Sequence, residues 1–413
     1  MKCWPLFLLL AAAPALAQTT FSEERLLPVQ QDRDAYTPHA AASSDGFLVV
    51  WQSGRFAPGD LRGGLKTLAA ADIVGLRLNK DGTSLDSSPL VLCAAPDMQT
   101  NPRAAFGGGV FLVVWQDMRA GRDWDVFGTR VSTSGEVLDP QGIEIASGQG
   151  NQALPDVVFN GEDFVVVWQD FRSGKNYELF GARVTPQGAV REPQGASLDS
   201  DLARSAHLIT PALASSGAGK AFVLYGVMVW SGATWNTPPA RGLFLDGITP
   251  GTRTSYQETN YGPGRNAVPI ALAAGSGGFF AVWRTDATAG RGDVPNAGNA
   301  MVMDGAGLVS KRFFIGGSEK RIQSPGACHD GSRFRAVWQE TDTTQTPFHL
   351  VRASAVNIAG DLVEAAVTLS GDANRPAAAP QVACASDGTV LVVYERHPDR
   401  ADTPIAIATR YGK

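Results

Sequence analysis

Residues 102–115 read Pro-Arg-Ala-Ala-Phe-Gly-Gly-Gly-Val-Phe-Leu-Val-Val-Trp. The same phrase, a proline, a short apolar stretch, a turn and an apolar run closed by Trp or Tyr, is written seven times. It spans Pro38 to Trp51, Pro102 to Trp115, Pro155 to Trp168, Pro211 to Tyr225, Pro269 to Trp283, Pro325 to Trp338 and Pro380 to Tyr394. Successive rings stand 64, 53, 57, 58, 55 and 56 residues apart. A period of about 57 residues is too long for a β-helix coil and too short for tandem β-sandwich domains.

Outward from that phrase, each unit reads as four strands. In the second unit, Ala104 to Phe106 and Val110 to Gln116 flank the Gly107–Gly109 turn. Asp125 to Val131 follows a polar loop, and a last strand centres on Ile143-Glu144-Ile145. β-Branched residues, short lengths and Gly punctuation favour strands over helices. The second strand is apolar at every position, as in Phe164-Val165-Val166-Val167-Trp168, so both of its faces need cover. Stacked propeller blades supply that cover. The first hairpins are expected to turn on Asp45-Gly46, Gly108-Gly109, Asn160-Gly161, Gly277-Gly278, Asp330-Gly331 and Asp387-Gly388. In the third strand, Gly75, Gly128, Gly181, Gly242, Gly298, Ala353 and Ala408 share one aligned position. We expect a steric demand there from a neighbouring blade, with its Trp or Tyr ring as the candidate.

The seventh unit stops at a third strand, Ile405 to Arg410, while Leu26-Leu27-Pro28-Val29 precedes the first unit. The expected fold is therefore all-β: a seven-bladed β-propeller over residues 18–413, closed by an N-terminal strand that completes the last blade. Closure removes the open edges of a stack.

Met1–Ala17 has a basic start at Lys2, a short apolar stretch and Ala15-Leu16-Ala17, the form of a secretory signal peptide. The apolar stretch falls short of the roughly 20 residues that span a bilayer, and no later segment is longer. An extracytoplasmic location (periplasm, outer surface or extracellular) and no membrane span are expected. The net charge of −5 and the lack of any basic run argue against nucleic acid as a partner. Past the signal, Cys93, Cys328 and Cys384 remain. Cys328 and Cys384 each lie ten residues ahead of a ring residue, on equivalent strands of adjacent units. Packing as small apolar residues is the favoured expectation, with a disulfide as the alternative.

Val110 to Val131, with Leu112-Val113-Val114-Trp115-Gln116-Asp117-Met118-Arg119-Ala120-Gly121 and Asp125-Val126-Phe127-Gly128-Thr129-Arg130-Val131, resembles a repeat of secreted bacterial propeller-repeat proteins. The third unit repeats it as Trp168-Gln169-Asp170-Phe171-Arg172-Ser173-Gly174 and Leu179 to Val184. That resemblance implies an exported propeller and names no activity, since such proteins are mostly without one. The sialidase aspartate box and the calcium repeats of integrin-like propellers are both missing from the sequence.

Loops joining second to third strands should share a face with the blade-to-blade links, and they vary most in length: Ser53 to Ala71, Gly226 to Ala240 and Thr285 to Asn296. Variable loops on a repeated scaffold are where function concentrates. Trp51, Trp115, Trp168, Trp283 and Trp338 fall in the core. Trp124, Trp230 and Trp235 fall in the loops, with Tyr177, beside Arg122, Asp123 and Asn176. Flat rings among polar groups suit a glycan or a protein partner. Asp117 with Arg119 and Asp170 with Arg172 read first as structural, the Asp capping a turn and the Arg pairing with an acid near Asp125 or Glu178, and second as a ligand clamp. No cofactor is expected; Asp123, Asp125 and nearby carbonyls leave Ca²⁺ as an open option. His39, His207, His329, His349 and His397 show no metal spacing. Arg291-Gly292-Asp293 and Gly262 to Ala267 read as turn and linker.

The resulting expectation is a monomeric, exported binding module that uses its loop face, through Arg119, Asp123, Trp124, Asp125, Arg172, Tyr177, Trp230 and Trp235. Two alternatives stand beside it. One is a carbohydrate-active hydrolase or lyase using acids near the central channel, with Asp123, Asp125, Glu178 and Glu340 as first candidates. The other is a purely structural module.

Overall fold

The computed structural model describes residues 18–413, apart from residues 31–32, 57–67, 204, 231, 233–234, 237–239, 257–266, 276, 286–297, 316–320, 343–347, 371–374 and 399–402. The signal-like segment Met1–Ala17 and the Arg291–Asp293 tripeptide lie outside the described residues. Seven antiparallel sheets stand around a central channel. Counted outward from that channel, blade 1 comprises Asp34–Ala42, Gly46–Phe56, Leu68–Asn79 and Leu90–Cys93. Blade 2 comprises Gln99–Gly107, Val110–Asp117, Asp125–Ser132 and Ile143–Ala146. Blade 3 has Gln152–Phe159, Phe164–Asp170, Glu178–Val184 and Ala196–Ser197. The inner strands of blades 4 to 7 are His207–Gly217, Ala267–Gly275, Arg321–His329 and Ala377–Cys384.

The seven prolines do not lead their strands. Each sits inside the inner strand, where the register slips. In six blades the proline and the residue before it oppose the single Trp or Tyr of the second strand, a two-against-one bulge: Thr37-Pro38 face Trp51, for example, and Leu154-Pro155 face Trp168. Proline has no N–H for the ladder and is tolerated at bulges. The preceding residue takes positive φ at Thr37, Asn101, Leu154, Thr210, Ser324 and Ala379. That backbone costs about 1–3 kcal/mol at a non-Gly residue, and at every one of the six but Ser324 the freed N–H is taken up across the blade boundary. Gln52, Gln116, Gln169 and Gln339 accept from the N–H of Asn101, Leu154, Thr210 and Ala379 at 3.2, 3.1, 3.1 and 3.2 Å, and Glu395 accepts from Thr37 at 2.9 Å.

Apolar packing follows the same boundaries. The buried residues fall into seven clusters, one at each blade-to-blade interface. Each ring packs on the second strand of the preceding blade: Trp115 with Leu48 and Val50, Trp168 with Leu112 and Val114, and Trp51 with Leu391 and Val393. Four of the five core tryptophans, with Tyr225 and Tyr394, are fully buried. A ring of this kind removes about 150–250 Å² from water.

The small residues of the third strand answer a different demand from the one expected. A side chain at Gly75 or Gly128 would meet the second-strand carbonyls of Val49 and Val113 and the fourth-strand Leu92 and Ile145 of the same blade, at 2.9–3.3 Å. At Gly181 and Gly298 the neighbouring blade does intrude, through Ile248 at 2.8 Å and through Ile322, but with an aliphatic chain in both. Rings limit other glycines: Gly242 meets Phe222 of its own blade at 2.5 Å, and Gly195 faces Trp168 with φ +77°. The hairpin glycines Gly108, Gly109, Gly161, Gly277, Gly331 and Gly388 have positive φ, whereas Gly46 and Gly278 do not. Those two are held small by the carbonyls of Leu78 and Met303.

Closure runs through the N-terminal segment. Arg25–Leu26 pairs antiparallel with Ala406–Gly412, Arg25 opposite Thr409 and Leu26 opposite Ala408, and Phe21 bridges to Gly412. The Glu24 carboxylate takes hydrogen bonds from the Tyr394 hydroxyl at 2.7 Å, from the Arg396 guanidinium at 3.2 Å and from Ser370. The segment is thereby tied to blades 6 and 7.

Cys328 and Cys384 are joined by a disulfide, contrary to the favoured reading of simple packing. Equivalent positions on adjacent inner strands bring their Cα atoms to 5.7 Å, inside the range a disulfide spans. Replacing both by Ala is expected to lower unfolding stability by about 2–4 kcal/mol. It should also make the urea midpoint insensitive to reductant, whereas the midpoint of the unmodified protein falls on reduction.

Candidate functional site

Two regions gather chemistry: the loop face and the channel. On the loop face, the second-to-third-strand loops are clipped to the links between blades. The Trp124 carbonyl accepts the Gln152 N–H at 2.6 Å, and Asn151 Oδ1 accepts the Trp124 N–H at 3.1 Å. Asp123 and Asp125 accept the N–H groups of Gly150 and Gly148, both at 3.1 Å. One blade on, Tyr177 accepts from Leu208 through its carbonyl at 2.9 Å and donates its N–H to His207 Nδ1 at 3.0 Å. Its ring lies 4.9 Å from that of Phe171 and 5.9 Å from that of His207. Trp124 and Tyr177 are half-buried.

Trp230 and Trp235 belong to strands rather than loops. Trp230 ends the second strand of blade 4, Lys220–Trp230, and pairs with Trp235 in a short return strand, Trp235–Asn236. Trp230 is 52% exposed; the side chain of Trp235 lies outside the described residues.

Arg119 and Arg172 pair with Asp117 and Asp170 themselves, and not with Asp125 or Glu178. Asp117 is buried and takes five bonds: from Trp115 Nε1 at 2.8 Å, from the Arg119 N–H at 2.8 Å, from Arg119 Nε and Nη2 at 2.9 and 2.6 Å, and from Gln99 Nε2 at 3.5 Å. The Arg119 guanidinium lies 3.9 Å over the Phe127 ring and donates to the Gln141 carbonyl. Blade 3 repeats this with Trp168, Asp170, Arg172 and Phe180. The Asp caps its turn as expected, and the Arg closes the bidentate fork that such planar pairs favour. Glu340 is its counterpart in blade 6, accepting from Trp338 Nε1 at 3.5 Å.

The channel is a cavity of about 500 Å³ lined by the inner strands of all seven blades. Sequence reading missed its residues, although the repeat marks them: they follow the prolines. Around the ring the position after proline is His39, Arg103, Asp156, Ala212, Ile270, Gly326 and Gln381. Polar and charged groups occupy blades 7, 1, 2 and 3; small or apolar ones occupy blades 4, 5 and 6. His39 Nδ1 accepts the Ala104 N–H at 3.2 Å. Asp156 accepts the N–H of Val157 at 3.0 Å and of Leu213 at 2.7 Å. Arg103 donates to the Pro102 carbonyl at 3.0 Å. Burial, and then the Arg103 charge, pulls the His39 imidazole down to about 3. Burial also holds the Asp156 carboxyl above the usual range and Arg103 below its own. Among the described residues lining the channel, Asp156 is the single carboxylate.

Among the described residues no group of three His, Cys, Asp or Glu is placed to hold a metal ion, and no helix is long and apolar enough to cross a membrane. No protein-family model and no curated protein matches the chain. Solved structures of similar fold include a protein of unknown function from Dyadobacter fermentans DSM 18053 (13% identity, 96% of this chain and 99% of that one, TM-score 0.49). Another is the periplasmic gluconolactonase of Pseudomonas aeruginosa (14%, 81% and 85%, TM-score 0.45). A third is the β-propeller domain of the Trilobed protease from Pyrococcus furiosus (9%, 92% and 95%, TM-score 0.49). At such identity the likeness concerns the fold alone.

A neutral His39 makes stability depend on pH. Unfolded histidine titrates near 6.5 and folded His39 near 3, so between those values the unfolded chain binds the extra proton and stability falls as pH falls. The contribution is up to about 1.4 kcal/mol per pH unit. Urea unfolding at pH 4, 5 and 6 should show a shallower pH slope in His39→Gln than in the unmodified protein.

Proposed function

We propose that this protein is an exported, extracytoplasmic binding module that holds a glycan or a protein partner against its loop face. The observation that carries this reading is the uneven height of that face. Second strands in blades 1 and 4 run five residues past their ring residues, to Phe56 and Trp230, whereas those of blades 2 and 3 stop two residues past, at Asp117 and Asp170. A low sector bearing half-buried Trp124 and Tyr177 therefore lies between two raised ribbons, one of them tipped by exposed Trp230. Flat rings at the floor and rim suit stacking on a sugar face or an aromatic-rich segment. Arg119, Asp123, Asp125 and Arg172 belong to the same sector and fix the loops on which those rings stand.

A combined Trp124→Ala, Tyr177→Ala, Trp230→Ala and Trp235→Ala variant is the test, screened on a glycan array and against envelope proteins. Binding should weaken at least tenfold, about 1.4 kcal/mol, with the unfolding midpoint held within a few degrees. Undiminished binding would remove the loop face from the reading.

A second reading, cleavage of a glycan, is favoured by Asp125. Burial, and then the Glu144, Asp117 and Asp123 carboxylates, hold its carboxyl above the usual range, the condition of a proton donor, with Asp123 as companion carboxylate. On this reading Asp125→Asn binds a glycan hit but does not turn it over. Equal turnover by the variant and the parent excludes Asp125 as the acid.

A further inference from the structure

The channel wall carries an arrangement that the loop-face reading does not use. Arg103 has five N–H donors, and among the described residues its one hydrogen bond is to the Pro102 carbonyl. No carboxylate comes within ion-pair distance of it among the described residues. Asp156, the nearest candidate by position, spends its two oxygens on the backbone N–H groups of Val157 and Leu213. His39 accepts through Nδ1, so its neutral ring carries the proton on Nε2, and that N–H has no partner among the described residues. Two adjacent blades therefore present donors, one of them a full positive charge, to the same cavity. Asp156 stands close enough to act electrostatically on Arg103 but makes no ion pair with it. A guanidinium withdrawn from bulk water without a directly bonded counter-charge is costly, and an anion on its open N–H groups offsets the cost.

The rest of the ring narrows the chemistry. Gln381 and Asp156 flank the two donors and suit hydroxyl groups. Ala212 and Ile270 stand on the far side and suit a C–H face. A cavity of about 500 Å³ falls in the range of small-ligand sites, and is large enough for one monosaccharide-sized molecule and water.

We infer that the central channel is a binding site for a small hydroxylated carboxylate of monosaccharide size, its carboxylate on Arg103 and His39 Nε2 and its hydroxyls toward Asp156 and Gln381. The Arg103 fork and a carboxylate match in two-point geometry, which an isolated ammonium would not supply. The site is separate from the loop-face sector, since the inner strands provide every group in it.

Titration calorimetry on the full chain tests it with three probes: D-glucuronate, D-glucose as its uncharged counterpart, and inorganic phosphate as a generic anion. Glucuronate should bind at least tenfold more tightly than glucose or phosphate. Arg103→Gln should lose at least tenfold of the glucuronate affinity, and Arg103→Lys should recover part of it. Ile270→Trp, which fills the cavity from the apolar side and leaves every polar group in place, should also abolish binding. The Trp124, Tyr177, Trp230 and Trp235 variant should bind glucuronate as the parent does, which separates this site from the loop face. Equal affinity for phosphate, equal affinity in Arg103→Gln, binding retained by Ile270→Trp, or no heat with 10-fold excess over millimolar glucuronate would each overturn the inference.

Discussion

The fold depends on one repeated irregularity. At each blade a proline breaks the inner ladder, the bulge it creates lies opposite the ring residue in six blades, and in five of them the strained N–H before it is claimed by the preceding blade. A local penalty is thereby converted into an inter-blade hydrogen bond. The acceptor is the residue that follows the ring residue, so one short segment supplies the apolar wedge of one interface and the polar clasp of the next: Trp115 packs on blade 1 while Gln116 reaches Leu154 of blade 3. Where the clasp is missing, the sequence explains it: Gly226 has no side chain to offer after Tyr225, and Arg284 after Trp283 is a donor rather than an acceptor.

Blade count, strand count and closure were legible because they are statements about periodicity and burial, and those are written in every unit. Phe164 to Trp168 requires cover on both faces whatever the ligand. The role of Asp117 as a turn cap was legible for the same reason, since a short side chain beside a loop has few partners. The partner of Arg119 was not, because a pair two residues apart at one strand end competes with pairs across the loop, and the folded geometry alone ranks them. The disulfide was hidden likewise: identical register on adjacent strands is visible, but the distance between those strands at the channel is not.

The channel residues show a different limit. His39, Arg103 and Asp156 are scattered by about sixty residues and share no motif. Their common feature is the place after proline, which has a meaning only once the bulge is known to lie on the channel wall. Repeat position thus tells which residues meet, while residue type, unlike from blade to blade, tells what they do there. The scaffold is regular where blades touch and irregular where the cavity and the loop face open, and chemistry follows the irregular part.

The covalent link between blades 6 and 7 has a mechanical consequence. Because Cys328 and Cys384 hold two neighbouring inner strands at the channel, peeling away of the Arg25–Leu26 strand leaves blade 7 still tethered on one side. Breathing of the disc is then directed to the seam between blades 7 and 1, where the contacts are hydrogen bonds, apolar packing and the surface Lys80–Asp387 ion pair, with no covalent link. A ring built of near-equal units acquires a hinge side and a latch side.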